Sequence, residues 1–367
     1  MGETNASTPG TKLVEPRQTL AAWAKMVNAA GGINGKKVKI LAMDDGNDPA
    51  KASANVKTMI DQGVVAIVSP NTSSSLPVWS KIAKDAGIPI IGGGCYDISA
   101  NADQNFYCVT TNAILDGLNA QVKYAADNGA KVFGITYTTE IPAASAAAGL
   151  NKALAPKYGI KFSDAVGASN TAPDYTAICV TMKGSNTTDI GIEGAPPLQN
   201  LARDCARQNY FPQYTSGDFQ IGTNAWAKSP DVAKSKVIAA VYSFPYMLTK
   251  GDTPEQTKSL QQWQAAMKKY APSVLKSDSK QLATVIWTGG LAFGAALSKV
   301  PAGTEVNGKA ITDALNTFNG ETLGGLAPNP LTFTAGQEHP HNSCWWGEVL
   351  QKGKLTAPKG MKTTCTP

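Results

Sequence analysis

The sequence predicts an α/β protein built on doubly wound parallel sheets, and three observations carry that expectation. Short apolar, β-branched runs such as Val64 to Val68, Ile88 to Ile91 and Val132 to Tyr137 are long enough for buried strands and too short for helices. They alternate with longer segments whose apolar residues recur at helical spacing, and repeated β–α alternation gives doubly wound sheets. At 367 residues the chain exceeds one ordinary core and implies two domains.

Taken in order, residues Met1 to Pro16 are polar and rich in Thr, Asn, Gly and Pro, and are read as loop. A helix from Glu15 to Ala30 carries Leu20, Trp23, Ala24 and Val27 on one face and ends at Gly31-Gly32. Asn34-Gly35 is a tight-turn signal leading into a strand from Val38 to Met43, with Asp44 and Asp45 at its end in a structural role. A helix from Pro49 to Gln62 precedes the central unit: strand Val64 to Val68, polar turn, helix Leu76 to Ala86, strand Ile88 to Ile91, then Gly92-Gly93-Gly94. The carboxyl ends of such strands are where open parallel sheets bind ligands. Asn71 to Ser75 would present hydroxyls and N–H groups at a helix start, favourable to a carboxylate; the same residues also fit ordinary helix capping beside a glycine-rich turn.

The alternation continues through extended Phe106 to Thr110, helix Asn112 to Asn128, strand Val132 to Tyr137, helix Ala144 to Tyr158 and extended Lys161 to Val166. Helix Tyr175 to Lys183, strand Asp189 to Ile192, helix Pro197 to Gln208, a loop holding Gly217 and Asp218, and strand Val237 to Tyr242 follow. Two long helices, Pro254 to Tyr270 and Lys280 to Leu297, lead to a shorter one at Val306 to Thr317. Turn-rich β structure then includes Leu331 to Thr334 and Trp345 to Gln351.

Composition narrows the function classes. The chain is 43% hydrophobic and 16% charged, which is globular. Its net charge of +6 is spread out, with no Lys/Arg cluster interleaved with aromatics, so nucleic acid is not an expected partner. No apolar run is read as long enough to span a bilayer. Six cysteines fall as three sequence-local pairs, Cys95 with Cys108, Cys179 with Cys205 and Cys344 with Cys365. Six thiols permit many pairings, and topology favours the consecutive one. Together with the missing n- and h-regions of a signal peptide, they describe a mature exported protein whose leader has been removed.

Val27 to Val38 (VNAAGGINGKKV) resembles the signature of the Leu/Ile/Val-binding-protein-like family of type I periplasmic binding proteins. Asp44-Asp45-Gly46-Asn47-Asp48-Pro49, Val68 to Ser74 and Ala86-Gly87-Ile88-Pro89 are similar to further segments of that family. Weaker, collinear likenesses cover Ala172 to Tyr175, Trp287 to Gly290 and Gly347 to Leu355. The family opens with a strand that is not visible in this sequence. The resemblance implies two doubly wound (Rossmann-like) lobes joined by three hinge crossovers, near Thr110 to Ile114, Tyr242 to Tyr246 and Thr322 to Thr332. Lobe 1 would be residues 1–112 plus 246–322, and lobe 2 residues 113–245 plus 323–367.

The resemblance also implies a ligand site. Asn71, Ser73, Ser74 and Ser75 would grip a carboxylate. Cys95 and Tyr96 stand where the family has an Ala-Thr pair, and Tyr96 either contacts a guest or covers the cysteine pair. Ile141 and Pro142 replace a wall tyrosine. Glu193 and Asp218 are candidates to pair with an ammonium, and Phe219, Tyr246 and Trp287 to form aromatic walls, although a tryptophan on an apolar helix is more often core. The anion grip is better preserved than the amine grip, which leaves room for a larger or aromatic acid. The implied activity is capture of an amino acid or other organic acid by lobe closure, outside the cytoplasm. Delivery would be to the membrane permease and ATPase of an ABC importer, with the chain a monomer, possible lipid anchoring left open, and a ligand-sensing domain of the same fold as the alternative.

Enzyme chemistry is not expected. No nucleophile elbow, P-loop or dinucleotide fingerprint is present, and the only histidines, His339 and His341, straddle a proline in the tail. Two imidazoles without a third nearby ligand make no metal site; no catalytic residue, metal or cofactor is assigned.

Overall fold

The computed structural model describes residues 2–5, 15–46, 48–70, 76–93, 103–110, 114–140, 142–193, 197–216, 219–277, 280–338 and 342–366. The chain divides into two compact units, Met1–Ala113 with Tyr242–Asn342, and Ile114–Val241 with Ser343–Pro367.

In the first unit the strands are β1 (Gly2–Asn5), β2 (Leu41–Asp44), β3 (Ile67–Val68), β4 (Ile90–Ile91) and β5 (Phe106–Tyr107), ordered β2-β1-β3-β4-β5. Every pairing among them is parallel. Helices α1 (Glu15–Ala29), α2 (Pro49–Asp61) and α3 (Leu76–Asp85) connect them. The strand β1 corrects the expectation of an opening loop. Gly2-Glu3-Thr4-Asn5 has little strand propensity, but it lies between β2 and β3 and pairs in register from Gly2↔Leu41 to Asn5↔Asp44. Neighbours on both sides override propensity.

Local chemistry explains two of the sequence motifs. The Asn28 side chain exchanges two 2.8 Å hydrogen bonds with the Val38 backbone, closing the loop between α1 and β2. Within that loop Gly32 has φ +86°, and a Cβ there would lie 2.2 Å from the Lys36 carbonyl oxygen. Asp48 caps α2: its Oδ1 accepts from the Ala50 and Lys51 amides, with Pro49 at the start of the helix.

The second unit has an eight-stranded sheet built from β6 (Val132–Thr138), β7 (Lys161–Ala168), β8 (Asp189–Glu193), β9 (Gln213–Ser216), β10 (Lys236–Val241), β13 (Cys344–Gln351), β14 (Lys354–Thr356) and β15 (Thr364–Cys365). Its order is β14-β13-β10-β9-β8-β6-β7, with β15 also on β13. The five strands β7-β6-β8-β9-β10 are parallel and repeat the second-first-third-fourth-fifth order of the first sheet, while β13 joins β10 antiparallel. Helices α4 (Ile114–Asp127), α5 (Pro142–Leu154), α6 (Thr176–Gly184), α7 (Leu198–Arg207) and α8 (Asn224–Lys228) accompany it. The strand β9 was not visible in the polar sequence QYTS. It forms because both neighbours pair with it, burying Tyr214 and Thr215.

Back in the first unit, α9 (Pro254–Tyr270), α10 (Lys280–Lys299) and α11 (Gly308–Leu315) are followed by a two-stranded ribbon, β11 (Asn319–Glu321) with β12 (Leu331–Thr332). Residues 323–342 therefore belong to the first unit, and the third crossing lies at 342/343, later than the expected 322–332 window. Packing holds the segment there: Phe333 stacks on Phe318 and meets Tyr107 edge-on, and Gln104 Nε2 donates to the Gly336 carbonyl at 3.1 Å. The helix α10 is long and apolar enough to cross a membrane by length and composition, which corrects the sequence reading; 78% of its apolar window is buried, as in a core helix.

Two of the expected cystines are present among the described residues, Cys179–Cys205 and Cys344–Cys365. Cys108 is also disulfide-bonded; its expected partner Cys95 lies outside the described residues.

Candidate functional site

In an open parallel sheet the ligand crevice forms where the strand order reverses, outside the carboxyl ends. In the first unit that switch point lies between β1 and β3, and in the second between β6 and β8. The segment after β3 is residues 71–75, the predicted serine loop. Asn71, Ser73, Ser74 and Ser75 themselves lie outside the described residues, as do Cys95, Tyr96, Ile141 and Asp218, and the side chains of Pro142 and Phe219 are likewise not described.

The frame leading to those segments is well defined. Ser69 continues the ladder beyond β3, its amide donating to the Ile91 carbonyl at 2.8 Å, and Gly92 does the same from β4 to Tyr107 at 2.8 Å. Ser69 is fully buried with φ +51°, a left-handed conformation rare for a residue with a side chain. Its hydroxyl donates to the Ile286 carbonyl in α10 at 3.1 Å.

At the second switch point, Pro142 opens α5 directly after β6 and its turn, and Glu193 ends β8, half-buried and in register with Tyr137. One residue here was missed in the sequence. Glu140, exposed just past β6, accepts hydrogen bonds from the Ser169 hydroxyl, the Thr138 hydroxyl at 2.5 Å and the Asn170 amide at 3.1 Å. The Ser169 and Thr138 hydrogen bonds, in that order, hold its carboxyl down to about 2. It therefore joins the exits of β6 and β7 as a carboxylate. The only sequence signal was a lone acid two residues past a strand, preceded by two threonines.

Trp287 is not a wall. It is 1% exposed and packs edge-on against Trp263, which in turn meets Phe244, so it belongs to the core of the first unit. Tyr246 is half-buried just after the 241/242 crossing. Among the described residues no cluster of three or more His, Cys, Asp or Glu side chains could hold a metal.

Residues 7–354 match the periplasmic binding protein family. The chain belongs to that family. It is a family of binding proteins rather than enzymes. As a periplasmic binding protein it superposes on an extracellular ligand-binding receptor from Verminephrobacter eiseniae with a TM-score of 0.74 at 16% identity, over 97% of this chain and 98% of that one. A possible leucine/isoleucine/valine-binding protein from Rhodopirellula baltica gives 0.76 at 17% identity, over 97% and 95%. The leucine binding protein LivK from Thermotoga maritima gives 0.74 at 12%, over 100% and 99%. At such identities the likeness is one of fold. In sequence, 72 residues are 40% identical to an amino acid binding protein of Pseudomonas aeruginosa, covering 19% of each chain. A further match, 37% identical over 65 residues, is to the Leu/Ile/Val-binding protein of Escherichia coli K12, covering 18% of each. Those matches span about a fifth of the curated relatives' length.

Proposed function

We propose that this periplasmic binding protein captures a small carboxylate-bearing solute, an amino acid or an aromatic or other organic acid, outside the cytoplasm and delivers it to the permease and ATPase of an ABC importer. The observation that carries the reading is the repeated strand order, which gives each sheet its own switch point. The segment following the first is rich in hydroxyls (Asn71 to Ser75), and the second is bordered by Pro142 and Glu193 with Asp218 near in sequence to the end of β9. Hydroxyls and amides at a helix start suit the carboxylate, and an acid suits a cationic group where one is present. The names of the curated relatives agree with an amino acid as one such solute. The two described cystines suit an oxidising compartment.

A solute that binds the folded chain and not the unfolded one stabilises it by mass action. The test is a thermal-shift screen of amino acids, aromatic acids and amides. A tight solute at about a hundredfold over its Kd stabilises by roughly 2.7 kcal/mol. Replacing Ser74 or Ser75 by Ala should then weaken binding about tenfold to a hundredfold, the worth of a charge-assisted hydrogen bond. Unchanged affinity in both variants would remove the serine segment from the site.

A further inference from the structure

We infer that Ser69 is a positioning residue, latched to α10, that sets how the chain leaves β3 toward the ligand segment; the functional sense of this rests on the solute-binding reading above. Three observations converge on it. Ser69 is fully buried yet holds φ +51°, a conformation its own side chain disfavours. Its hydroxyl is fixed on the Ile286 carbonyl. The helix beside it carries Gly289, where a Cβ would stand 1.9 Å from Ser69 Oγ and 3.2 Å from Ser69 Cβ.

The surrounding backbone is fitted to the same contact. Gly92 has φ +69°, and a Cβ there would lie 3.0 Å from Gly289 Cα. Gly93 has φ +84°, and a Cβ there would lie 2.5 Å from the Pro70 carbonyl oxygen. The exits of β3 and β4 are thus pressed together against one glycine of α10, with a single hydroxyl filling the space that a methyl group at position 289 would need. A serine in the interior of a fold that needed only filling would not require a left-handed backbone. Here the strained turn and the hydrogen bond together aim the chain from β3 at the switch point. This also gives the Trp287-Thr288-Gly289-Gly290 segment a role: Gly289 makes room for the Ser69 hydroxyl, and a Cβ on Gly290 would lie 2.9 Å from the Trp23 ring.

The test uses the full chain in four variants (Ser69→Gly, Gly289→Ala, Ser69→Ala, and Ser69→Ala with Gly289→Ala), read by amide exchange at positions 69 and 92, by Tm, and by affinity for L-leucine as the probe. Ser69→Gly keeps the left-handed backbone without strain and loses the hydroxyl, so Tm should change little while both amides exchange about threefold to tenfold faster and L-leucine binds more weakly by a similar factor. Gly289→Ala should show larger effects, and Ser69→Ala combined with Gly289→Ala should return toward Ser69→Ala alone, because the 1.9 Å contact is gone. Wild-type exchange at both amides in Ser69→Gly, or no relief in the double variant, would overturn the assignment. A wild-type protein indifferent to L-leucine and to every other amino or organic acid would instead end the solute reading and leave the exchange result to decide the latch.

Discussion

Asp189, at the start of β8, is fully buried, accepting from the Thr215 hydroxyl at 2.8 Å and from the Gln213 amide. Burial pushes its carboxyl up to about 7, and the hydrogen bonds from Gln213 and Thr215 and the nearby Lys236 charge only partly oppose this. A folded-state value above the unfolded one means the native protein binds the proton more tightly. Its contribution is therefore present below the unfolded value of 3.8 and is lost as pH rises through about 7. Asp189→Asn, neutral at every pH, should gain Tm relative to wild type between pH 4 and pH 8; a constant Tm difference across that range would refute the buried-acid account. Glu140 has the opposite sign. Its lowered value favours the folded state above the ordinary carboxylate range, and this is lost as pH falls toward about 2. Glu140→Ala should free the Asn170 amide, which exchange measurements would show as lost protection at that residue and not in β8. Neither acid was singled out in the sequence, because a single carboxylate beside a strand carries no mark of what surrounds it in space.

Elements were legible where chemistry is local. The Asn28 clasp on Val38 and the Asp48 cap lie within motifs visible as residue patterns, and the helices α9 and α10 follow from long periodic runs. The strands β1 and β9 were not legible, since GETN and QYTS become strands only through neighbours distant in sequence. The site was legible in its placement more than in its residues. The exits of β3, β6 and β8 could be read from the alternation, whereas Trp287 needed the three-dimensional packing of Trp263 and Phe244 to be recognised as core. At this scale the α6–α7 pair is fastened by covalent and polar links together. Cys179–Cys205 joins the two helices, and buried Asp204 binds the Tyr175 amide at 3.0 Å together with Arg203 and Arg207. Burial works to raise the Asp204 carboxyl, but the arginines and the amide outweigh it and hold it low. Replacing both Cys179 and Cys205 by Ala should lower unfolding stability by about 2–4 kcal/mol, measurable by denaturant titration under oxidising conditions.

The whole chain presents two cores, each assembled from separated stretches of sequence. Equilibrium unfolding should accordingly depart from a single two-state transition, with fluorescence and far-UV signals failing to coincide; superimposable curves would show the units to be energetically one. A bound solute should raise the later of the transitions it touches.

The antiparallel strand β13 has an implication for how the polypeptide matures. It carries buried Trp345 and Trp346, covers the flank of β10, and belongs to the last 25 residues or so of the chain, residues 343–367. Until that tail leaves the ribosome, the second sheet ends in an unprotected strand with open amides and carbonyls, the kind of edge that recruits other chains. The second sheet is thus incomplete until residues 343–367 have joined it. A chain ending at residue 342 should therefore be prone to aggregation through the exposed edge of β10.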